Sequence, residues 1–83
     1  MDTKEKWVKL TKIAAIKYAD NDHPNNINTG YVSEGIALVD LEVGNSMIVT
    51  STYKLFYTST VISIDEENMT FDTENSKYKI ELI

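Results

Sequence analysis

These 83 residues predict an all-β fold, a small barrel or a β-roll of five to six antiparallel strands. Three observations carry this. Apolar side chains recur at every second position over most of the chain from about Ile36 to Leu82. Runs rich in Val, Ile, Thr, Tyr and Phe alternate with short Gly-, Asn- and Ser-containing breaks. The last third divides into three short runs, 58–64, 69–73 and 77–82, that read as a meander of antiparallel strands. Five or six such strands need a closed arrangement, because an open sheet would expose edges that pair with other chains.

Each element follows in order. Residues 7–18 admit two readings. As a strand, Val8, Leu10, Ala14, Ile16 and Tyr18 share a face, with Lys12 the exception and an irregularity near Lys12-Ile13. As a short N-terminal helix, Trp7, Leu10, Ala14 and Tyr18 form a stripe, with Asp2 and Glu5 as a faint cap signal. Period two accommodates more of the apolar residues, so the strand is preferred. Residues 20–30, rich in Asn, Asp, Pro and Gly, read as a loop. Over 31–43 the alternation sends Ala37, Val39, Leu41 and Val43 inward and Leu38, Asp40 and Glu42 outward, with Gly35 marking a bulge or bend. Gly44-Asn45-Ser46 is a turn, and 47–57 resumes a strand pattern broken around Ser51-Thr52. The last third is a three-strand meander. Strand 58–64 turns through Asp65-Glu66-Glu67-Asn68, strand 69–73 places Met69 and Phe71 inward, and Glu74-Asn75-Ser76 turns into 77–82. There Tyr78, Ile80 and Leu82 face the core.

The expected organisation is one domain over residues 1–83. A chain of this size buries roughly 60% of its unfolded surface, so its margin is thin. A homo-oligomer is expected to supply part of the stability, and the apolar Ile83 hints at burial against something. With no cysteine, disulfides, thiolate metal sites and cysteine nucleophiles fall away, and a cytoplasmic setting is expected. No apolar run approaches the length of a membrane span, and the charged residues 2–6 do not form a signal peptide. Eight lysines, no arginine and thirteen acids give a net charge of −5, which disfavours direct nucleic-acid binding.

Several chemistries were weighed. Asp20, Asn21, Asp22, His23, Asn25 and Asn26 offer oxygen ligands, but Pro24 and Asn25 stand where a calcium loop needs other residues. His23 is the only histidine and no spacing ties it to a nucleophile. The acids 65–67 read as a solvated hairpin tip, and Asn68-Met69-Thr70 as a chance glycosylation triplet. No metal, cofactor or catalytic group is assigned, and the expectation is a protein that is not an enzyme. The best candidate for binding is the polar set Thr58, Ser59, Thr73, Asn75, Ser76 and Tyr78. Pairing of strands 58–64 and 69–73 would bring Ser59 or Thr60 near Thr73 at the end of the sheet, where hydroxyls, an amide and a phenol suit a polar ligand. The same residues also serve strand and turn roles, and both readings stand. Among Tyr53, Phe56 and Tyr57, one points outward as an interface anchor, which adds Tyr53 and Tyr57 to the candidates.

Three stretches together form a pattern. They are Val43-Gly44-Asn45-Ser46-Met47, Tyr57-Thr58-Ser59-Thr60-Val61 and Phe71-Asp72-Thr73-Glu74-Asn75-Ser76-Lys77-Tyr78. The pattern resembles a group of small proteins, many from bacteriophages, with a Gly turn, a Thr-Ser-x-Val strand and a Thr-x-Asn-Ser-x-Tyr ending. The resemblance covers about half the chain. It implies an SH3-like or related small barrel and a phage origin. It leaves three roles open: an inhibitor engaging a host defence protein, an oligomeric protein sequestering a small polar ligand or nucleotide, and an accessory virion component.

Overall fold

The computed structural model describes residues 1–17 and 27–83. Six strands run in order: β1 (Trp7–Ala15), β2 (Val32–Ala37), β3 (Ser46–Thr50), β4 (Leu55–Asp65), β5 (Thr70–Thr73) and β6 (Ser76–Leu82). Each pairs antiparallel with the next, and β6 returns to β1, so the sheet closes as a barrel. There is no helix among the described residues, which settles the first segment as strand. The barrel is flattened, with extents of 32 × 29 × 19 Å.

The alternating pattern fills the interior. Val8, Leu10, Ala37, Leu41, Met47, Val49, Val61, Phe71, Tyr78 and Ile80 are buried together. Tyr78 stacks on Phe71 with centroids 5.3 Å apart and meets the edge of Phe56 at 6.2 Å, while Tyr31 extends the chain of rings at 5.4 Å from Phe56. Such pairs add to simple area burial.

Where the rhythm breaks, the backbone breaks with it. The register on β1 shifts between Lys12 and Ala14, at the irregularity read from the sequence. The shift moves Ala14 and Ile16 off the face on which the alternation had placed them. Lys12 is fully buried on the inner face, its ammonium donating to the Ile27 carbonyl, and Ile16 is exposed. Beyond the bulge Ala14 pairs with Lys77 and Ala15 with Ser76, so the alternation is offset by one residue and neither Ala14 nor Ile16 shares the face of Val8 and Leu10. Tyr18, the candidate calcium ligands from Asp20 to Asn26 and His23 lie outside the described residues.

Two more corrections concern strand ends. The alternation over 31–43 is not one strand: β2 stops at Ala37, and residues 38–45 form a loop that buries Leu41, half-buries Val39 and leaves Val43 exposed. On β6, Leu82, paired with Val8 at the last position of the strand, is exposed, as is Ile83. Gly35 marks neither a bulge nor a bend. Its register with Val8 is regular, and its missing side chain lets β3 approach: a Cβ there would sit 2.2 Å from the Thr50 carbonyl oxygen. Gly44 carries the turn into β3 with φ +96°.

One end of the barrel is closed by residues 1–6 laid against the 38–45 loop. The Thr3 hydroxyl donates to the Val39 carbonyl at 2.9 Å and accepts from the Leu41 N–H at 3.0 Å, and Thr3 is fully buried. Asp40 Oδ1 accepts from the Thr3 and Lys4 N–H groups at 3.1 and 3.0 Å. Those bonds, the one from Lys4 foremost, hold the Asp40 carboxyl below its ordinary value of 3.8.

Candidate functional site

The polar residues singled out by sequence converge where β4 passes the β5–β6 turn. On β4 the register against β3 slips between Ser46 and Ile48, leaving the Met47 N–H without a ladder partner. Thr58 supplies one. Its buried hydroxyl accepts from Met47 N at 3.0 Å and donates to the Ser59 carbonyl at 2.7 Å. Thr73 acts likewise on the next turn, accepting from Ser76 N at 3.1 Å and Asn75 N at 3.3 Å and donating to the Ser76 carbonyl at 3.0 Å. These threonines are buried polar groups whose partners are backbone, so their first role is to hold the strand irregularities together.

Ser59 and Asn75 differ. The Ser59 hydroxyl oxygen accepts from Asn75 N at 3.2 Å, tying β4 to the turn, with its proton still to donate. The Glu74 N–H donates to the Thr60 carbonyl beside it at 3.0 Å. Ser59, Asn75, Ser76 and Thr58 form the polar wall of a cavity of about 120 Å³, and Ile27, Phe56, Tyr57 and Tyr78 form its apolar wall. Burial raises the Tyr78 phenol above its ordinary 10.0, which keeps it a neutral donor at physiological pH. Six of the eight candidate residues thus line one cavity. Thr73 sits behind it as a turn brace, and Tyr53 stands apart, 93% exposed, in the 51–54 connection.

Tyr57 has a second place. It is 68% exposed and lies on the outer face of the barrel, where the register aligns two rows of apolar side chains. Trp7, Ile36, Thr50 and Leu55 follow one another across β1 to β4. In the neighbouring row Ile48 pairs with Tyr57, and Leu38 joins by donating its N–H to the Ile48 carbonyl. Trp7 is 55% and Leu55 59% exposed. Sequence reasoning picked Tyr57 out of this face and turned Leu38 outward without giving it a role, and it missed Trp7, Ile36, Ile48 and Leu55. A signal was present: Ile36-Ala37-Leu38-Val39, Met47-Ile48-Val49 and Leu55-Phe56-Tyr57 are apolar at consecutive positions, the pattern of strands covered on both sides.

Among the described residues no group of three His, Cys, Asp or Glu side chains is placed to hold a metal ion, and no helix is long and apolar enough to cross a membrane. No family model, curated protein or solved structure matches this chain.

Proposed function

We propose that this protein is a non-catalytic binding module that engages another protein through the outer face of β2, β3 and β4. The observation that carries the reading is an outer face on which exposed Trp7, Leu38, Leu55 and Tyr57 surround half-buried Ile36 and Ile48. Contiguous exposed apolar surface on a small barrel marks an interaction site, whereas scattered apolar residues do not. Tyr and Trp flank it, the residue types that most often anchor such contacts. The cavity beside Tyr57 extends the surface with directional donors and acceptors from Ser59 and Asn75. Following the resemblance, we place the protein among phage-encoded inhibitors of host proteins, acting in the host cytoplasm.

The second reading, sequestration of a small polar ligand, is favoured by the convergence of Ser59, Asn75, Ser76 and Tyr78 on one cavity. Its volume of about 120 Å³ weighs against a nucleotide, since such ligands fill pockets of roughly 300 Å³ or more. It accommodates a single side chain of a partner instead.

The test is affinity capture from host lysate with the wild-type chain, Leu55→Asp and Lys79→Glu, each verified as folded. The reading expects a saturable partner retained by wild type and Lys79→Glu and lost by Leu55→Asp. A partner retained equally by all three removes it. Thermal-shift screening with nucleotides and small amides decides the second reading, which requires stabilisation abolished by Asn75→Ala.

A further inference from the structure

Resting on the reading of this face as a binding surface, we infer that its occupant is a basic, apolar segment of a partner protein. The segment runs from Tyr57 over Ile48 to Leu38 and seats a Lys or Arg side chain beside Asp40 and Glu42. Leu38 connects the two halves of this surface. It ends the second apolar row, and it also lines an open groove of about 210 Å³ with Val39, Lys4, Asp40, Glu42 and Asn45. A segment crossing the apolar rows therefore meets this groove next.

Charge selects what enters it. Lys6 pairs with Asp2 at 3.5 Å and Lys4 and Glu5 cancel in the same strap, so the side chains of residues 1–6 sum to zero, while the Met1 ammonium, donating to the Leu41 carbonyl at 2.8 Å, adds +1. Asp40 and Glu42 then leave strap and loop together at −1. Asp40 is fixed by the Thr3 and Lys4 N–H groups at 3.1 and 3.0 Å, and Glu42 Oε2 accepts from Asn45 Nδ2 at 3.4 Å. Carboxylates held in this way on the rim of an apolar patch steer and orient a cationic partner, while the patch supplies contact area.

A second copy of the chain fits less well. Each copy carries −5, so association brings like charges together. The two rows, spanning four strands about 4.8 Å apart, cover roughly 300 Å², short of the ~800 Å² per partner of a standard interface. A compact apolar strip with acidic flanks suits a short segment instead.

The experiment is a ¹⁵N NMR titration of the full chain with a capped octapeptide alternating Leu and Arg, and with its Leu/Glu counterpart. Saturable shifts at the amides of Leu38, Asn45, Ile48 and Tyr57 are expected with the Arg peptide, weakening as salt rises. The Glu peptide is expected to bind at least about tenfold more weakly, and Glu42→Lys, on an exposed loop position, to lower affinity for the Arg peptide about tenfold. Equal binding of the two peptides, shifts elsewhere, no binding, or an unaffected Glu42→Lys variant overturns the inference. Sedimentation showing a dimer that Leu55→Asp dissociates assigns the face to a second copy and overturns it as well. Capture of a partner that depends on Leu55 but not on Glu42 keeps the binding face and discards the charge selection.

Discussion

The two outer faces of the barrel are built on the same backbone and carry opposite chemistry. Across β2, β1 and β6, Glu34, Lys9 and Glu81 lie side by side in register, and Lys77 stands against Asp72 at 3.8 Å on β6 and β5. Alternating charge of this kind keeps a strand face in water and discourages pairing with other chains. Across β2, β3 and β4 the matching outward positions hold Ile36, Ile48, Leu55 and Tyr57. Both faces enclose the same core, so packing does not explain the difference. The binding role proposed above accounts for apolar residues turned outward where charged ones would serve the fold equally well.

Substitutions on either face test this contrast, and the largest effect comes from the joint that supports the apolar face. Gly35→Ala places a Cβ against the Thr50 carbonyl and must push β2 from β3. A loss of about 3 kcal/mol is expected, read as a lower urea midpoint with unchanged slope. Next is Thr73→Val, which strips Ser76 and Asn75 of their buried partner. It is expected to cost about 2 kcal/mol, and amide exchange should quicken at the 74–75 turn first. Leu55→Asp and Lys79→Glu form the matched pair, one on each face. Each should move stability by no more than about 0.5 kcal/mol, while only Leu55→Asp changes partner capture. A Leu55→Asp variant that unfolds would show the apolar face to be part of the fold.

The smallest effects are in pH. The Asp40 carboxyl, held below 3.8 chiefly by the Lys4 N–H, contributes stability that is present above that value. As pH falls the unfolded chain takes up the proton first, and the contribution is lost through the native pKa. Asp40→Asn should flatten the acid limb of the stability profile. The Tyr78 phenol, raised by burial above 10.0, acts in the other direction. Its neutral form is fully accommodated below pH 10.0, and stability falls as pH rises from there because the unfolded chain ionises first. Tyr78→Phe should remove that alkaline loss.

The barrel was legible because period two is a direct print of strand geometry. Phe71, Tyr78 and Ile80 could be placed inside from neighbours alone, and the slip at Lys12 showed as a break in rhythm. What escaped depends on three dimensions. Leu82 obeys the alternation but is the last residue of its strand, and Ile16 lies past a bulge that offsets the alternation by one residue. The convergence of Ser59 with Asn75 was readable, because one short hairpin sets that register. The outer apolar rows were not, because Trp7, Ile36 and Leu55 meet only after four strands have been aligned. Lys12 breaks the apolar pattern without leaving the inner face: its stem is apolar enough to line the interior while its ammonium finds the Ile27 carbonyl.

Closure between β1 and β6 reaches beyond the finished structure. The first strand to leave the ribosome waits for the last before its second edge is satisfied, and joining partners so far apart in sequence carries a large chain-entropy cost. The meander of β4, β5 and β6 can assemble from local turns, so the seam with β1 should be the slow event of refolding. Until that seam zips, the newly made chain carries two open edges, and crowding by its own siblings is then the main hazard it faces.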